Sequence, residues 1–222
     1  MSDSSITQPR RPLTRRLSDR WITNPPIRPV SAPELVAILE YFTGINNDTK
    51  STQTDEQFTE RNTLIGSFGV NKGAEIFAFH VAEGVGAIME VNRTEIKGQL
   101  TIRYIMTCPG TKGLGPLMME YAANIAPNQD GPTLRLIAAN DGLARYYQKA
   151  YGFAVIEPAN TFSGATMTVA LVDADDKWQR PGGDQWALIN RGAISILEDM
   201  PRFQSPLHQA QNNQRRGCCI VQ

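Results

Sequence analysis

The sequence contains few of the residues that define several common protein classes. Three cysteines in 222 residues are too few for a disulfide framework, and two histidines without paired Cys/His spacing argue against a zinc site. No apolar run is long enough to span a bilayer, and the N-terminus lacks the apolar segment of a secretory signal. We therefore expect a cytoplasmic protein in a reducing compartment, without a metal.

The net charge is zero, but the charges are unevenly distributed. Residues 1–30 contain six arginines and two acidic residues, and residues 201–222 contain three arginines and no acidic residue, which leaves the body acidic. This pattern predicts a disordered basic N-terminal segment and a flexible C-terminal tail. The alternative is contact with an anionic membrane or nucleic acid. Nucleic acid is the weakest candidate, because the tails lack interleaved aromatic residues apart from Trp21 and Phe203, and the body is acidic.

Between the tails, residues 31–172 are predicted to form one α/β domain. Residues 173–200 are predicted to form an extension that contains a helix capped by Asp184. A capping-box pattern, Ser31 with Glu34, begins the first predicted helix, which is expected to end at Gly44. Short apolar runs and helical spacing then predict strands over 64–70, 74–81, 84–91, 99–107, 133–139, 153–156 and 165–172, and helices over 116–126 and 141–151. The polar stretch 46–62 is predicted to be either a loop on the substrate side or an irregular helix.

A glycine-rich turn joins strand 99–107 to the next helix. Gly113 and Gly115 allow the backbone to approach a ligand closely, and the helix N-terminus adds free N–H groups. Pro116 is expected at the first helical position, where its missing N–H is not needed. The turn is no Walker loop and is a poor dinucleotide fingerprint, because the third glycine would fall on Met118. It predicts a pyrophosphate cradle, with a purely structural turn as the alternative.

Two segments of the sequence resemble the GNAT acetyltransferases. The run Ile102–Gly115, followed by an apolar helix, is similar to that family's acetyl-CoA loop, although Gly110 stands where the family prefers Arg or Gln. The stretch from Asn140 through Tyr147 to Gly152-Phe153 is similar to the family's Asn–Tyr–Gly-Phe segment. One extra residue before Gly152 leaves the register open, so that Tyr146 is an alternative to Tyr147.

The resemblance implies a GNAT-type α/β fold, with a mostly antiparallel central sheet and a strand–helix–strand core that binds CoA. Acetyl-CoA is then the co-substrate, and an amine attacks its thioester directly. Tyr147 is implied to protonate the leaving thiolate. The CoA-binding residues implied are Met106, Thr107, Cys108, Lys112, Gly113, Leu114, Gly115, Pro116 and Asn140.

Other roles rest on position in the predicted strands. Glu90 is the predicted base, with His80 as the weaker candidate. Cys108 is either a covalent nucleophile or, as its type favours, a small buried side chain. The amine acceptor is a small molecule, a protein lysine or an N-terminus, and the acidic body favours cationic amines. The alternative function is a catalytically inactive, lipid-anchored binding or effector protein with the same fold.

The C-terminal residues Cys219-Ile220-Val221-Gln222 fit a prenylation box, in which Gln favours farnesyl. Cys218 is a candidate for palmitoylation, which would add the second signal that stable anchoring needs. Arg215 and Arg216 would favour an anionic leaflet. The pattern predicts a peripheral protein on a eukaryotic or host membrane, with a coincidental match as the alternative.

Overall fold

The fold was determined as a computed structural model that describes residues 13–14, 26–50, 53–81, 84–93, 95–108, 111–160, 163–181, 183, 185–192, 195–196 and 203. In chain order its elements are β1 (Leu13–Thr14), β2 (Ile27–Pro29), α1 (Ala32–Asp48), α2 (Asp55–Ser67), β3 (Glu75–Val81), β4 (Gly84–Asn92), β5 (Gln99–Thr107), α3 (Leu114–Ile125), β6 (Thr133–Ala138), α4 (Asp141–Tyr151), β7 (Ala154–Glu157), β8 (Ala165–Ala170), β9 (Trp178–Gln179), β10 (Ala187–Leu188) and β11 (Ser195–Ile196).

Seven strands form the central sheet, in the order β2-β3-β4-β5-β6-β8-β7. Every neighbouring pair is antiparallel except β5 and β6, which are parallel and are connected by α3. Parallel neighbours need a crossover of this kind, whereas antiparallel neighbours can be joined by tight turns. The predicted fold class, mixed α/β with a mostly antiparallel sheet and one strand–helix–strand unit, is confirmed.

Side chains of the strands alternate between the two faces of the sheet and contribute to two apolar clusters, one on each face. Along β4, Met89 belongs to the cluster that includes residues of α3 and α4, whereas Ile88 belongs to the cluster that includes residues of α1 and α2. Both side chains are completely buried. Helices therefore cover both faces of the sheet, and the strand ends between them are the places where a ligand can reach the backbone.

The start and end of α1 differ from the prediction. The helix continues through Gly44 to Asp48, because Gly44 is exposed and a glycine inside a helix costs only about 1 kcal/mol. Ser31 makes no side-chain cap. The buried carboxylate of Glu34 instead binds the guanidinium of Arg28 on β2 at 3.0 Å, so it is not available for the predicted capping box.

The predicted strand 64–70 is also wrong. Residues up to Ser67 belong to α2, which begins after Thr54 with a complete capping box. The Thr54 hydroxyl accepts from the amide of Gln57 at 3.2 Å, and the Gln57 side chain accepts from the amide of Thr54 at 3.1 Å. This reciprocal cap starts a helix within the polar stretch that the sequence left open.

The prediction of a helix after Asp184 is wrong over residues 185–192, which are not helical. Within them Ala187–Leu188 form β10, which pairs with β9. Polar side chains of α3 bind this extended backbone. The Asn124 amide and the Trp186 backbone exchange hydrogen bonds of 2.8 Å in both directions, and the Glu120 carboxylate accepts from the Leu188 amide at 2.8 Å. Arg191 closes the arrangement with a 2.7 Å ion pair to Glu120.

Several predictions fall on residues outside the described part of the chain. These are residues 1–12 and 15–25 of the basic segment 1–30, Gly110, Asp184 itself and the tail with Cys218 and Cys219. Within the part of the chain that the structure describes, no helix is both long enough and apolar enough to cross a membrane.

Candidate functional site

A cleft opens in the sheet where β5 and β6 separate. Their parallel pairing ends at Ile102 and Leu136, but β5 continues to Thr107 and β6 to Ala138. Each strand stays paired to its outer neighbour up to these last residues, β5 with β4 and β6 with β8. One half of the sheet therefore ends in β5 and the other half in β6, and these two strands diverge after Ile102 and Leu136.

A β-bulge marks the point of separation. In the pairing of β4 with β5, Glu90 faces Tyr104 whereas the next residue, Val91, faces Ile102, so Arg103 has no opposite partner. Such an extra residue bends its strand and changes the direction in which the following backbone groups point. β5 loses its pairing with β6 at the same position.

The bulge leaves β5 with an open backbone edge beyond Arg103. The amide of Cys108 donates to the carbonyl of Gly86 at 2.8 Å, so the backbone groups of Cys108 point toward β4. The direction of the backbone groups alternates from one residue to the next along an antiparallel ladder. The N–H and C=O groups of Ile105 and Thr107 therefore point to the opposite side, from which β6 has separated. They can pair with an extended, amide-bearing ligand as an edge strand does.

The loop after β5 is tied to the end of the same strand. The Thr111 hydroxyl donates to the Cys108 carbonyl at 2.7 Å, and the Thr111 amide donates to the same oxygen at 3.1 Å. Gly86 on β4 allows α3 to approach, since a Cβ atom there would lie 2.5 Å from Cδ1 of Leu114. The start of α3 is thus fixed against the end of the open edge.

The predicted anion cradle lies at the N-terminus of α3. Gly113 precedes the helix with φ of 76°, and the helix begins at Leu114, which makes Pro116 its third residue and not its first. The first helical amides have no acceptor within the helix, so proline costs nothing there either. The amides of Leu114 and Gly115 remain for an anion, and the exposed Lys112 precedes the N-cap residue Gly113 in the chain.

Tyr147 and Tyr146 occupy different environments on α4. Tyr147 is partly buried against the same apolar cluster as Ile105, and its ring lies 5.9 Å from that of Phe153. Burial raises the pKa of Tyr147, and neighbouring Tyr146 raises it further, so the phenol keeps its proton at neutral pH. Tyr146 is 49% exposed, and its hydroxyl lies 3.0 Å from that of Tyr151.

The structure does not favour Glu90 as a base. Its side chain is completely buried, and its two oxygens accept from the Gly69 amide at 2.7 Å and the Asn71 side chain at 2.5 Å. Arg103 binds Asn71 as well, at 3.2 Å. A carboxylate held in this way fixes the loop after α2 to the bulge, and neither of its oxygens is exposed to solvent.

Asn140 and His80 likewise lie in structural positions. The Asn140 side chain accepts from the Leu143 amide at 2.9 Å and caps α4. Nε2 of His80 is buried and has no partner among the described residues, and burial, with a smaller effect of Arg28, lowers the pKa of this imidazole. His80 is on β3, two strands from β5, or about 10 Å at the usual spacing. It therefore does not lie beside the open edge.

Arg61 on α2 was not singled out by the sequence, because its surroundings were read as a loop. With Phe42, Asn46, Ile65 and Met106 it lines a narrow pocket between α1, α2 and β5 that has essentially no room for a water molecule. Met106 lies between Ile105 and Thr107, so the pocket adjoins the open edge. No nearby sequence signal could have predicted this arrangement, which depends on the packing of α2 against the sheet.

The chain is similar in structure to acetyltransferases of the GNAT family. One matching structure is the PaiA N-acetyltransferase of Thermoplasma acidophilum in complex with coenzyme A, with 16% identity, coverage of 65% of this chain and 97% of that chain, and a TM-score of 0.43. Tetrahymena GCN5 has 12% identity, coverage of 65% of this chain and 95% of that chain, and a TM-score of 0.43. A GNAT acetyltransferase of Staphylococcus aureus has 12% identity, coverage of 65% of this chain and 98% of that chain, and a TM-score of 0.44. No protein-family model matches the sequence, and no curated protein does.

Cys108 is predicted to be a neutral, structural thiol. It is 1% exposed, and burial raises the pKa of its thiol to about 12, an effect that the charge of Arg61 partly offsets. The thiol of the unfolded chain ionises first, near pH 9, so this residue lowers the stability of the fold as the pH rises from about 9 to 12. In this interval the free energy of unfolding of Cys108→Ala should fall less steeply with pH than that of wild type, by up to about 1.4 kcal/mol per pH unit.

Denaturant unfolding of both proteins at several pH values measures this difference. Because the other titrating groups are common to the two proteins, they cancel in the comparison. Equal slopes would show that the Cys108 thiol is not protected by burial.

Proposed function

We propose that the protein is an acyl-CoA-dependent N-acyltransferase that transfers an acetyl group from acetyl-CoA to an amine. The observation that carries this proposal is the continuous path from the open edge of β5 to the N-terminus of α3. CoA has the matching chemistry along its length, with a thioester, then an arm containing two amides, then a pyrophosphate.

Each part of CoA has a corresponding group in the site. The arm would lie beside Ile105 and Thr107 as an added strand, with its amides bonded to their backbone groups. The pyrophosphate would meet the amides of Leu114 and Gly115 and the partial positive charge of the helix end, with Lys112 as an additional cation. The thioester then lies near the bulge at Arg103, where unpaired backbone N–H groups can stabilise an oxyanion.

In the reaction the nitrogen lone pair of the neutral amine attacks the thioester carbonyl carbon, and the carbonyl π electrons move to oxygen. Collapse of this intermediate breaks the C–S bond and forms the amide. The Tyr147 hydroxyl donates its proton to the departing thiolate, the amide nitrogen loses its extra proton to solvent, and the Tyr147 phenolate regains a proton from solvent. Burial raises the pKa of Tyr147, so the phenol is still protonated when the thiolate leaves, and desolvation in the cleft makes that thiolate a stronger base.

The first prediction concerns the contact between β4 and α3. In Gly86→Ala the new methyl group would displace Leu114 and the start of α3, because 2.5 Å is far below a normal carbon–carbon contact. We expect the dissociation constant of acetyl-CoA to rise by about tenfold or more, which corresponds to a strain of 1–3 kcal/mol. Isothermal titration calorimetry with acetyl-CoA measures it.

Gly66→Ala is the matched control, since no atom lies within 4 Å of its added Cβ. It should bind acetyl-CoA like wild type and be slightly more stable. A wild-type protein that is folded but shows no heat of binding and no thermal shift with acetyl-CoA would contradict the proposed function. Binding without transfer to any amine would instead favour an inactive binding protein.

The second prediction separates the two tyrosines. Tyr147→Phe removes the proposed proton donor and keeps the ring in its apolar surroundings, so kcat should fall by about 100-fold while acetyl-CoA affinity changes little. Tyr146→Phe removes only the exposed hydroxyl that contacts Tyr151, and its kcat should stay within about threefold of wild type. Steady-state kinetics with a thiol-reactive indicator of CoA release measures both. The reverse result would assign the proton donor to Tyr146.

We further propose that the protein is anchored to a membrane by lipidation of its tail, when Gln222 is its terminal residue. The support is the sequence pattern alone, with Cys219 at the prenylated position. In eukaryotic cells the C-terminal peptide should carry a farnesyl group on Cys219 by mass spectrometry, and the protein should sediment with membranes. Cys219→Ser should abolish both, whereas Cys218→Ser should keep the farnesyl group. An unmodified Cys219 in wild type would exclude this proposal.

A further inference from the structure

Glu90 differs in its partners from the other buried glutamates among the described residues. Glu34 on α1 forms an ion pair with Arg28, and Glu120 on α3 forms one with Arg191. Glu90 is completely buried, and no ion pair joins it to any described residue. A buried charge that is not paired with a cation is costly, so the stability of the fold does not by itself explain a glutamate at this position.

The loop after α2 supplies neutral donors to this carboxylate. Gly69 has a φ of 77°, which glycine adopts readily, and its amide donates to one Glu90 oxygen at 2.7 Å. The Asn71 side chain donates to the other oxygen at 2.5 Å. Val70, which lies between them, is 73% exposed and so buries little of its side chain. Two hydrogen bonds to Glu90 therefore hold residues 69–71 against the sheet.

Asn71 connects this loop to the bulge of β5. Its side-chain oxygen accepts from the Arg103 guanidinium at 3.2 Å, and Glu95 accepts from the same guanidinium at 3.0 Å. Arg103 is the extra residue of the bulge and has no opposite residue on β4. Because the ladder does not fix such a residue, the contacts of its side chain help to decide where the bulge lies. A continuous chain of hydrogen bonds thus runs from Glu90 through Asn71 to Arg103.

The end of this chain lies where the proposed reaction needs the most accurate geometry. β5 loses its pairing with β6 after Ile102, and the open edge begins beyond Arg103. Glu90 lies opposite Tyr104, the residue that follows the bulge. Groups that stabilise an oxyanion must be held within about 0.5 Å of their productive positions. A bulge that moves by one residue would displace them much further, since adjacent residues of a strand are about 3.3 Å apart.

We propose that Glu90 is a positioning residue for acyl transfer, which holds the bulge of β5 through Asn71 and Arg103. This inference rests on the proposed acyltransferase function, and it gives Glu90 an indirect role in place of the predicted role of base. The bulge then presents unpaired N–H groups to the thioester carbonyl before an amine arrives. A carboxylate suits this position because it accepts on both oxygens, whereas an amide would direct N–H groups at the donor of Gly69 or of Asn71.

Infrared spectroscopy of bound acetyl-CoA tests this role without an acceptor amine. The carbonyl carbon of the acetyl group is labelled with carbon-13, so that difference spectra isolate the thioester carbonyl stretch. Hydrogen bonds to the carbonyl oxygen polarise the C=O bond, so in wild type this stretch should move to lower frequency on binding. In Glu90→Gln, at saturating acetyl-CoA, most of that shift should be lost. A residue that only takes a proton from an amine would leave this spectrum unchanged when substituted.

Asn71→Ala tests whether Glu90 acts through the chain of hydrogen bonds. It removes the link to Arg103 and keeps the bond of Glu90 to Gly69, and it should lose the same infrared shift. The double variant Glu90→Gln/Asn71→Ala should lose no more than either single variant, because both substitutions break one chain. Asn71 is only partly buried, so Asn71→Ala also tests the chain if Glu90→Gln does not fold. A full wild-type shift in Asn71→Ala would overturn the proposal.

Glu34→Gln is the matched control, because it also replaces a buried glutamate that accepts hydrogen bonds, but one bound to β2, three strands from β5. It should lose stability in denaturant unfolding and keep the full infrared shift. Loss of the shift in this control would show that a general loosening of the fold is the cause, and would overturn the proposal. Wild type that binds acetyl-CoA without a lowered stretch, or Glu90→Gln that keeps the shift, would also overturn it. Absence of acetyl-CoA binding to folded wild type would instead overturn the proposed function.

Discussion

The site depends on the separation of β5 from β6 after Ile102. Each strand remains fully paired to its outer neighbour, so the sheet is interrupted along a single seam while both halves stay intact. The separation leaves the backbone groups of Ile105 and Thr107 without a ladder partner. A net hydrogen bond contributes about 1 kcal/mol, so this edge forgoes a few kcal/mol that an extended ligand can restore.

The separation would produce little specificity if the helix that follows it were mobile. Thr111 binds the Cys108 carbonyl, and Gly86 leaves just enough space for Leu114 beside β4. The end of the open edge and the start of α3 therefore form one rigid unit. A ligand that spans both meets groups that are already oriented, and less of its binding free energy is lost to ordering the protein.

Most strands of the sheet and the helix Asp141–Tyr151 could be predicted from the sequence, because the spacing of apolar residues within each segment indicates its secondary structure. It failed where distant contacts outweighed local preference. Leu64 and Ile65 look like part of a strand but belong to the end of α2, since a short apolar run fits either structure. Residues 185–192 are extended because side chains of α3 bind their backbone. The bulge at Arg103 and the pocket at Arg61 have no local signal at all.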